Sequence, residues 1–190
     1  MNTLFIDTHA KNVLIILFKD GKIVEKIDME TMNKHSIVTM PSIRTILSNN
    51  KVDVKDINEI IVCNGPGSFT GSRIAVTIAK TMAYSLNIPI KQIDALTIKA
   101  VNIKEDKDYY VAIKDRNGAY VGKYNKDAKL LDELNYVNNS EYELLSSKNL
   151  YEEVNVDYEI VYDYLSTIEY TNVHSIKPIY VKGISALNDK

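Results

Sequence analysis

The chain has 190 residues, of which 45% are hydrophobic and 25% are charged, and its formal net charge is −2. These values are typical of a soluble globular protein with one domain or two small ones. The sequence contains no basic block, which argues against autonomous high-affinity binding of nucleic acid. No apolar run approaches the roughly 18 residues that a membrane helix needs, so we expect no membrane association.

The single cysteine, Cys63, lies in an apolar segment and has no partner for an internal disulfide. We interpret it as a small core residue rather than a reactive thiol. His9, His35 and His174 lie far apart and do not show the spacing of zinc ligands. The first residues lack the cationic region of a signal peptide. We therefore expect a protein of the reducing cytoplasm with no metal and no cofactor.

The first part of the chain predicts three antiparallel strands joined by short turns. Apolar runs mark these strands at residues 4–6, 13–18 and 23–27. Asp20-Gly21 is a hairpin signal between the second and third strands. Asn33 is a candidate cap for a helix over residues 34–48, and the internal Pro41 should kink this helix or shift its start.

The middle of the chain predicts a strand at residues 59–63, then a glycine-rich turn, then a helix at 73–86. Further elements are predicted as a strand opening at 88–90, a helix at 94–103, a hairpin around Asn117-Gly118, short helices at 140–147 and 162–169, and short strands at 158–161 and 178–182.

The composition changes near residue 104, since all three Phe precede it and all but one of the 13 Tyr follow it. We predict an N-terminal lobe at 1–103, which carries the glycine loop, and a smaller C-terminal lobe at 104–190. The tyrosines could stack on bases, but we favour the interpretation that they cover a thin core with their hydroxyls at the surface.

The glycine loop is the most informative segment of the chain. It comprises Gly65, Pro66, Gly67, Ser68, Phe69, Thr70, Gly71, Ser72 and Arg73. Such a loop either cradles a phosphate with helix N-terminal amides or packs tightly on a neighbour. Its spacing matches neither the P-loop, which needs a lysine, nor the dinucleotide pattern, because three residues separate the last two glycines. In the simplest interpretation it is a tight turn in which Ser68, Thr70 or Ser72 caps the next helix.

The helix after the loop carries a stripe of small residues, Ala75, Ala79 and Ala83, beside a second apolar stripe. A helix that is apolar over so much of its circumference is buried on two sides. It is either a central core helix or a helix that turns one side to a partner subunit.

The glycine loop, with Ile74 and Ala79-Lys80 after it, resembles the signature of the TsaB family, also called YeaZ. Weaker matches follow the same order along the chain: Ile6-Asp7-Thr8, His35-Ser36 with Pro41, the hairpin at 115–120, and the segment 178–182. The resemblance implies an α/β fold of the actin/hexokinase/Hsp70 (ASKHA) type. This fold has two related lobes, and the second is expected to be truncated.

The resemblance also implies a function. TsaB-like proteins are non-catalytic scaffolds that support a TsaD-like subunit, which transfers threonylcarbamoyl to N6 of adenosine 37 in tRNAs that read ANN codons. A TsaE-like ATPase joins the complex, tRNA is contacted mainly through the complex, and the isolated protein is expected to form a homodimer. In an approximate alignment, Ala95 and Lys99 stand where the catalytic paralogue has its two metal-binding histidines. We therefore expect no catalytic residue and no enzyme activity.

The resemblance further assigns surfaces. Candidate partner-interface residues are His35, Ile37, Met40, Pro41, Arg44, Ala75, Thr77, Ala79, Lys80, Thr81 and Tyr84.

Asp7 and Thr8 occupy the phosphate-and-metal corner of this fold, either as a remnant or, in the alternative hypothesis, as part of a stand-alone ATP-binding kinase or ATPase. A peptidase lacks support, since no Ser/His or Cys/His arrangement is recognisable by role. Ser72 and Ile37 depart from the family's usual Leu and Glu.

Overall fold

The computed structural model describes residues 1–32, 34–145 and 148–182, and these form two compact units. The first unit contains Met1–Asp94 and Tyr158–Ile179, and the second contains Ala95–Asp157 with residues 180–182. The lobe boundary after residue 103 stays a prediction. No helix within the described ranges combines the length and the apolar character needed to cross a bilayer.

The strands are β1 (Asn2–Asp7), β2 (Asn12–Lys19), β3 (Lys22–Glu30), β4 (Ile57–Cys63), β5 (Ile90–Ile93), β6 (Tyr109–Asp115), β7 (Gly118–Tyr124), β8 (Asn135–Asn138) and β9 (Leu150–Tyr151). The helices are α1 (His35–Asn49), α2 (Phe69–Leu86), α3 (Ala95–Ala100), α4 (Asn139–Leu145) and α5 (Tyr158–Ser166), with a short 3-10 turn at Val54–Asp56.

The first unit is built on a five-stranded sheet in the order β3-β2-β1-β4-β5. Strands β1 to β3 form an antiparallel meander, whereas β4 and β5 run parallel to β1. This confirms the predicted meander. Asp20 and Gly21 have φ angles of 51° and 80°, the left-handed pair that a tight two-residue hairpin requires.

Helices cover both faces of this sheet, which explains why β1, β2 and β4 are almost continuously apolar. On one face, Leu4 and Ile6 pack in a core shared with α1 and α2. On the other face, Phe5 and Phe18 contact rings of α5, with centroid separations of 5.3 Å to Tyr158 and 5.1 Å to Tyr162. The edge strand β3 is largely exposed.

Two helices of the first unit differ from the prediction at their ends. Helix α1 keeps Pro41 in its interior, and the predicted cap, Asn33, lies outside the described residues. Helix α2 begins at Phe69 rather than near residue 73, because Gly71 is accommodated inside its first turn. Ser68 caps it, its Oγ accepting a hydrogen bond of 3.1 Å from the Gly71 amide.

The second unit contains a four-stranded sheet in the order β8-β7-β6-β9. It repeats the pattern of the first sheet, since three antiparallel strands are followed by a fourth strand that runs parallel to the first of them. Its fourth strand is only two residues long, and no equivalent of β5 occurs in this sheet as described. The two units are therefore related, and the second is the reduced one.

Tyrosines fill the core of the second unit. Tyr109 and Tyr124 are fully buried and stack with a centroid separation of 6.0 Å. The Tyr109 hydroxyl donates to the Ala100 carbonyl, and burial raises its pKa to about 12. These contacts place Tyr109 and Tyr124 in the core, as predicted, but the prediction that the hydroxyls lie at the surface is wrong for both, because the two hydroxyls find buried hydrogen-bond partners.

Two strand predictions near the C-terminal end are wrong. Residues 158–161 begin α5, whose Val161 and Leu165 are buried one helical turn apart. A short apolar and aromatic run does not by itself distinguish a strand from a helix. Residues 178–182 form no strand in the structure. β8 and β9 were not predicted, because each is short and lacks a clear alternating pattern.

The alanine stripe of α2 belongs to the core. Ala75 and Ala79 have no exposed surface, and both pack in the core cluster of the first unit. The prediction that they contact a partner is therefore wrong, because neither side chain reaches the surface. Small residues are required here because the helix backbone lies close to the sheet.

We predict that Ala79→Leu destabilises the protein by about 1–3 kcal/mol, since the added carbons have no space in a filled core. Thr77→Leu, on the exposed side of the same helix, is the control and should change stability by less than about 0.5 kcal/mol. Urea unfolding measures both. Equal midpoints for the two variants would show that the alanine stripe is not tightly packed.

Candidate functional site

The candidate site lies where β1 and β4 end, at the carboxyl edge of the first sheet. These strands are parallel neighbours, and Ile6 pairs with Val62 one residue before each strand ends. The turn after β1 and the glycine loop after β4 therefore leave the sheet side by side. This edge is the usual place for ligands in open α/β sheets.

The glycine loop packs directly on the backbone of the turn after β1. A Cβ atom on Gly67 would lie 2.4 Å from the His9 carbonyl oxygen, and one on Gly71 would lie 1.9 Å from the Thr8 carbonyl oxygen. Both distances are too short for any side chain. The Ser68 amide also donates a 2.7 Å hydrogen bond to the His9 carbonyl. This geometry matches tight packing of the loop on a neighbouring segment rather than a cradle for a phosphate.

The Thr8 side chain completes this contact. Its Oγ1 donates to the Gly71 carbonyl at 2.6 Å and accepts from the Ala75 amide at 3.1 Å. Thr8 has no exposed surface. Its hydroxyl is therefore used to join the end of β1 to the first turns of α2.

Asp7, His9 and Cys63 form a compact cluster beside the loop. His9 Nδ1 lies 2.7 Å from Asp7 Oδ1 and 3.5 Å from Cys63 Sγ. The Asp7 carboxylate also accepts from the His9 amide at 2.9 Å. Sequence spacing did not predict this cluster, because only the parallel pairing of β1 and β4 brings Cys63 beside residues 7–9.

The cluster does not have the geometry of a catalytic triad. In a triad the acid and the nucleophile contact different nitrogens of the histidine, whereas Asp7 and Cys63 both contact Nδ1. Burial raises the pKa of the Cys63 thiol well above its usual value, and the nearby Asp7 charge adds to this effect. The thiol is buried and protonated, which is unsuitable for a nucleophile.

The remaining loop residues are partly open to solvent. Ser68, Phe69, Thr70 and Arg73 are exposed, and the Arg73 guanidinium lies 3.8 Å from the centre of the Phe69 ring. Ser72 is buried, and its hydroxyl has no hydrogen-bond partner among the described residues. Ser72 stands where the family usually has Leu, and it thus places a polar atom in a core position.

Most of the interface residues predicted on α1 are exposed. Ile37 is 68% exposed and Met40 is 48% exposed, and Pro41 and Arg44 are also at the surface. His35 is an exception to the prediction, because its side chain is buried and its Nε2 lies 2.9 Å from the Ala10 carbonyl. It holds α1 against the turn after β1 instead of facing a partner.

The predicted residues of α2 other than Ala75 and Ala79 reach the surface. Thr77 and Thr81 are exposed, and Tyr84 is 67% exposed. Lys80 is partly buried, and its Nζ donates to the carbonyls of His174 and Ile176. Lys80 therefore joins α2 to the segment that contains His174 and Ile176, and part of its side chain remains at the protein surface.

A groove of about 300 Å³ lies between α1 and the segment that follows it, and α2 reaches its edge. Its walls include Met40, Arg44 and Leu47 of α1, residues 52–54, and Met82 of α2. The groove and the exposed side chains of α1 and α2 form one surface, the helix face, defined by Ile37, Met40, Pro41, Arg44, Thr77, Lys80, Thr81, Met82 and Tyr84.

In the second unit, Ala95 and Lys99 lie on α3, one turn apart. Ala95 is buried, and Lys99 Nζ donates to the Glu152 carbonyl. Partial burial lowers the pKa of Lys99, and the negative charges of Glu153 and Glu152 act in the opposite direction by raising it. Neither side chain provides a metal-binding nitrogen of the kind that the catalytic paralogue uses.

Two sheets with the same strand order, flanked by helices, define an α/β protein of the predicted ASKHA type. Two solved structures share this fold. YeaZ from Pseudomonas aeruginosa is 17% identical with a TM-score of 0.76, covering 94% of this chain and 100% of that one. A protein described as having similarity to peptidase YEAZ, also from Pseudomonas aeruginosa, is 18% identical with a TM-score of 0.78, covering 95% and 99%.

Sequence comparison identifies the family. Residues 28–134 match a family model described as TsaD, tRNA N6-adenosine threonylcarbamoyltransferase. The tRNA threonylcarbamoyladenosine biosynthesis protein TsaB of Bacillus subtilis is 33% identical over 136 residues, which are 70% of this chain and 59% of that protein. TsaB of Buchnera aphidicola subsp. Schizaphis graminum is 34% identical over 132 residues, 67% and 62% of the two chains. The chain belongs to the TsaB (YeaZ) family, and the matched region spans about three fifths of each of these two relatives.

We predict that Gly71→Ala destabilises the protein by about 3 kcal/mol or more, because the new methyl group overlaps the Thr8 carbonyl. At an unconstrained helix position the same change would stabilise by about 1 kcal/mol, so the sign of the effect is diagnostic. Thermal and urea unfolding measure it.

Ser72→Ala at the next position of α2 is the control for this prediction. It removes a buried hydroxyl that lacks a partner among the described residues, so it should be neutral or stabilising. A stabilising effect of Gly71→Ala would contradict the observed packing of the loop.

Proposed function

We propose that this chain is a non-catalytic subunit in the biosynthesis of threonylcarbamoyladenosine in tRNA. In this role it binds and supports a TsaD-like subunit, which transfers threonylcarbamoyl to N6 of adenosine 37 in tRNAs that read ANN codons. The names of the relatives support the pathway. The observation that carries the scaffold role is the exposed apolar part of the helix face, with Ile37, Met40 and Tyr84.

The helix face has the chemistry of a protein interface. Its exposed apolar side chains include Met40, which lines the groove together with the oppositely charged Arg44 and Asp53. Exposed apolar surface of this kind is typical of binding sites on soluble proteins. Ile37 stands where the family usually has Glu, and this replacement enlarges the apolar surface. We propose that the TsaD-like subunit covers this face in the cytoplasm, and that a second copy of the chain covers it when the protein is alone.

Two further observations support a role without catalysis. Ala95 and Lys99 stand where the catalytic paralogue has metal-binding histidines, and neither replaces them. The Asp7, His9 and Cys63 cluster has the wrong geometry for a nucleophile and its base. We propose that a TsaE-like ATPase and tRNA meet this chain mainly within the complex.

The alternative function is a stand-alone ATP-binding kinase or ATPase. It requires the glycine loop to present amides to a phosphate. Instead, the Ser68 amide donates to His9, and Gly67 and Gly71 lie against the backbone of residues 8–9. This geometry favours the scaffold proposal, in which Asp7 and Thr8 bind no nucleotide.

Reconstitution tests the proposal directly. The TsaD-like subunit, TsaE-like ATPase, threonylcarbamoyl donor and tRNA are incubated with and without this chain. We expect modification of the tRNA to depend on its addition. Undiminished modification without the chain, or turnover by the chain alone, would contradict the proposal.

We predict that Tyr84→Glu weakens binding to the TsaD-like subunit at least about tenfold, equivalent to about 1.4 kcal/mol, because a charge is placed within the apolar face. The unfolding midpoint should change little, since Tyr84 is 67% exposed. Leu144→Glu is the matched control: this residue is a 74% exposed helical side chain in the second unit. Equal effects of the two variants in calorimetry or pull-down would show that the helix face is not the binding surface.

A further inference from the structure

The cluster at the carboxyl edge of the first sheet brings together three different donor atoms. Asp7 ends β1, His9 lies in the following turn, and Cys63 ends β4. One carboxylate oxygen of Asp7, one ring nitrogen of His9 and the Cys63 Sγ atom all lie within 4.8 Å of one another. The three side chains therefore bring three possible metal ligands close together.

One of the three donor separations equals that of a tetrahedral zinc site, and a second is shorter. Zinc bonds of about 2.3 Å to sulfur and about 2.0–2.2 Å to nitrogen or oxygen place the donor atoms about 3.3–3.6 Å apart. The observed separation of Cys63 Sγ and His9 Nδ1 is 3.5 Å. The 2.7 Å between His9 Nδ1 and Asp7 Oδ1 is a hydrogen-bond distance. A small outward movement of the carboxylate would bring this pair to the same separation.

The donor set selects the type of cation. Magnesium and calcium prefer oxygen ligands alone. A thiolate, an imidazole and a carboxylate together favour zinc and related transition metals. The set differs from the oxygen-only arrangement that would hold a magnesium–nucleotide complex at this edge.

The surroundings hold the donors in place. The His9 carbonyl accepts from the Ser68 amide, and the His9 amide donates to Asp7. Asp7 and Cys63 are buried, whereas the His9 side chain keeps 17% of its surface exposed.

We propose that Asp7, His9 and Cys63 form a binding site for a zinc-type divalent cation, with a fourth position open to water. The cation takes the place of the hydrogen atoms that now link the three side chains. The thiol proton leaves to solvent, and the imidazole hydrogen moves from Nδ1 to Nε2, so that sulfur and Nδ1 each donate an electron pair to the metal. The site is independent of the proposed scaffold role.

The test uses the full-length chain without a tag, stripped of metal with a chelator. Zinc is titrated by calorimetry, and cobalt by absorption. We expect one equivalent of each ion to bind, with a thiolate-to-cobalt charge-transfer band in the near ultraviolet. Zinc should also raise the midpoint of thermal unfolding, because it binds only the folded site.

Variants assign the ligands. Cys63→Ala should abolish the charge-transfer band, and His9→Gln should weaken zinc binding at least about tenfold. His174→Gln, which changes an exposed histidine elsewhere in the first unit, should leave binding unchanged. Circular dichroism establishes that each variant is folded.

Three results would overturn the site. One is the absence of a thiolate-to-cobalt band in the wild-type chain, which is decisive even where a variant fails to fold. The second is zinc binding by folded Cys63→Ala and His9→Gln that equals the wild type. The third is loss of binding in His174→Gln, which would assign the metal to a surface histidine.

Discussion

The contact between the glycine loop and the backbone of residues 8–9 is the constraint on which the first unit depends. The carbonyl oxygens of Thr8 and His9 occupy the space where side chains of residues 71 and 67 would begin. Glycine is therefore required at both places. The hydroxyl of Thr8 adds two hydrogen bonds to α2, so the end of β1 and the start of α2 are joined through one buried side chain. This contact sets where α2 leaves the sheet.

The surfaces of the first unit follow from the placement of α2. With its N-terminal turn held at the edge of the sheet, the helix lays Ala75 and Ala79 on the core and turns Thr77 and Tyr84 outward. Helix α1 lies beside it, with Ile37 and Met40 exposed. The glycine loop at the edge where other α/β proteins bind ligands makes internal contacts, and apart from Phe69 in the loop the large exposed apolar side chains of α1 and α2 lie elsewhere. This distribution is the physical basis of the proposed scaffold role.

Local patterns in the sequence predicted much of this fold. Alternating strands, the Asp20-Gly21 turn and a glycine-rich connection before a helix each depend on residues close in the chain. Prediction failed where the outcome depends on distant residues. The start of α2 at Phe69 requires a glycine to be buried in a helix by contact with Thr8. The run at 158–161 begins a helix, whose Tyr158 and Tyr162 rings pack on β1 and β2.

The candidate site, like the fold, was predicted only in part from the sequence. The glycine loop and the two helices were identified, but the pattern of apolar residues could not separate the buried Ala79 from a partner-facing residue. The cluster of Asp7, His9 and Cys63 depends on strand pairing across more than 50 residues, which spacing along the chain does not reveal. Parallel pairing of the two strands could have suggested the cluster, since Asp7 directly follows one predicted strand and Cys63 ends another.

Titration calorimetry of the isolated, untagged chain with magnesium–ATP tests most directly whether the glycine loop is a packing contact rather than a phosphate cradle. The account predicts no saturable binding at millimolar nucleotide, because the loop amide of Ser68 and the space beside Gly67 and Gly71 are already occupied. Micromolar binding that is lost in a folded Asp7→Ala variant would contradict it.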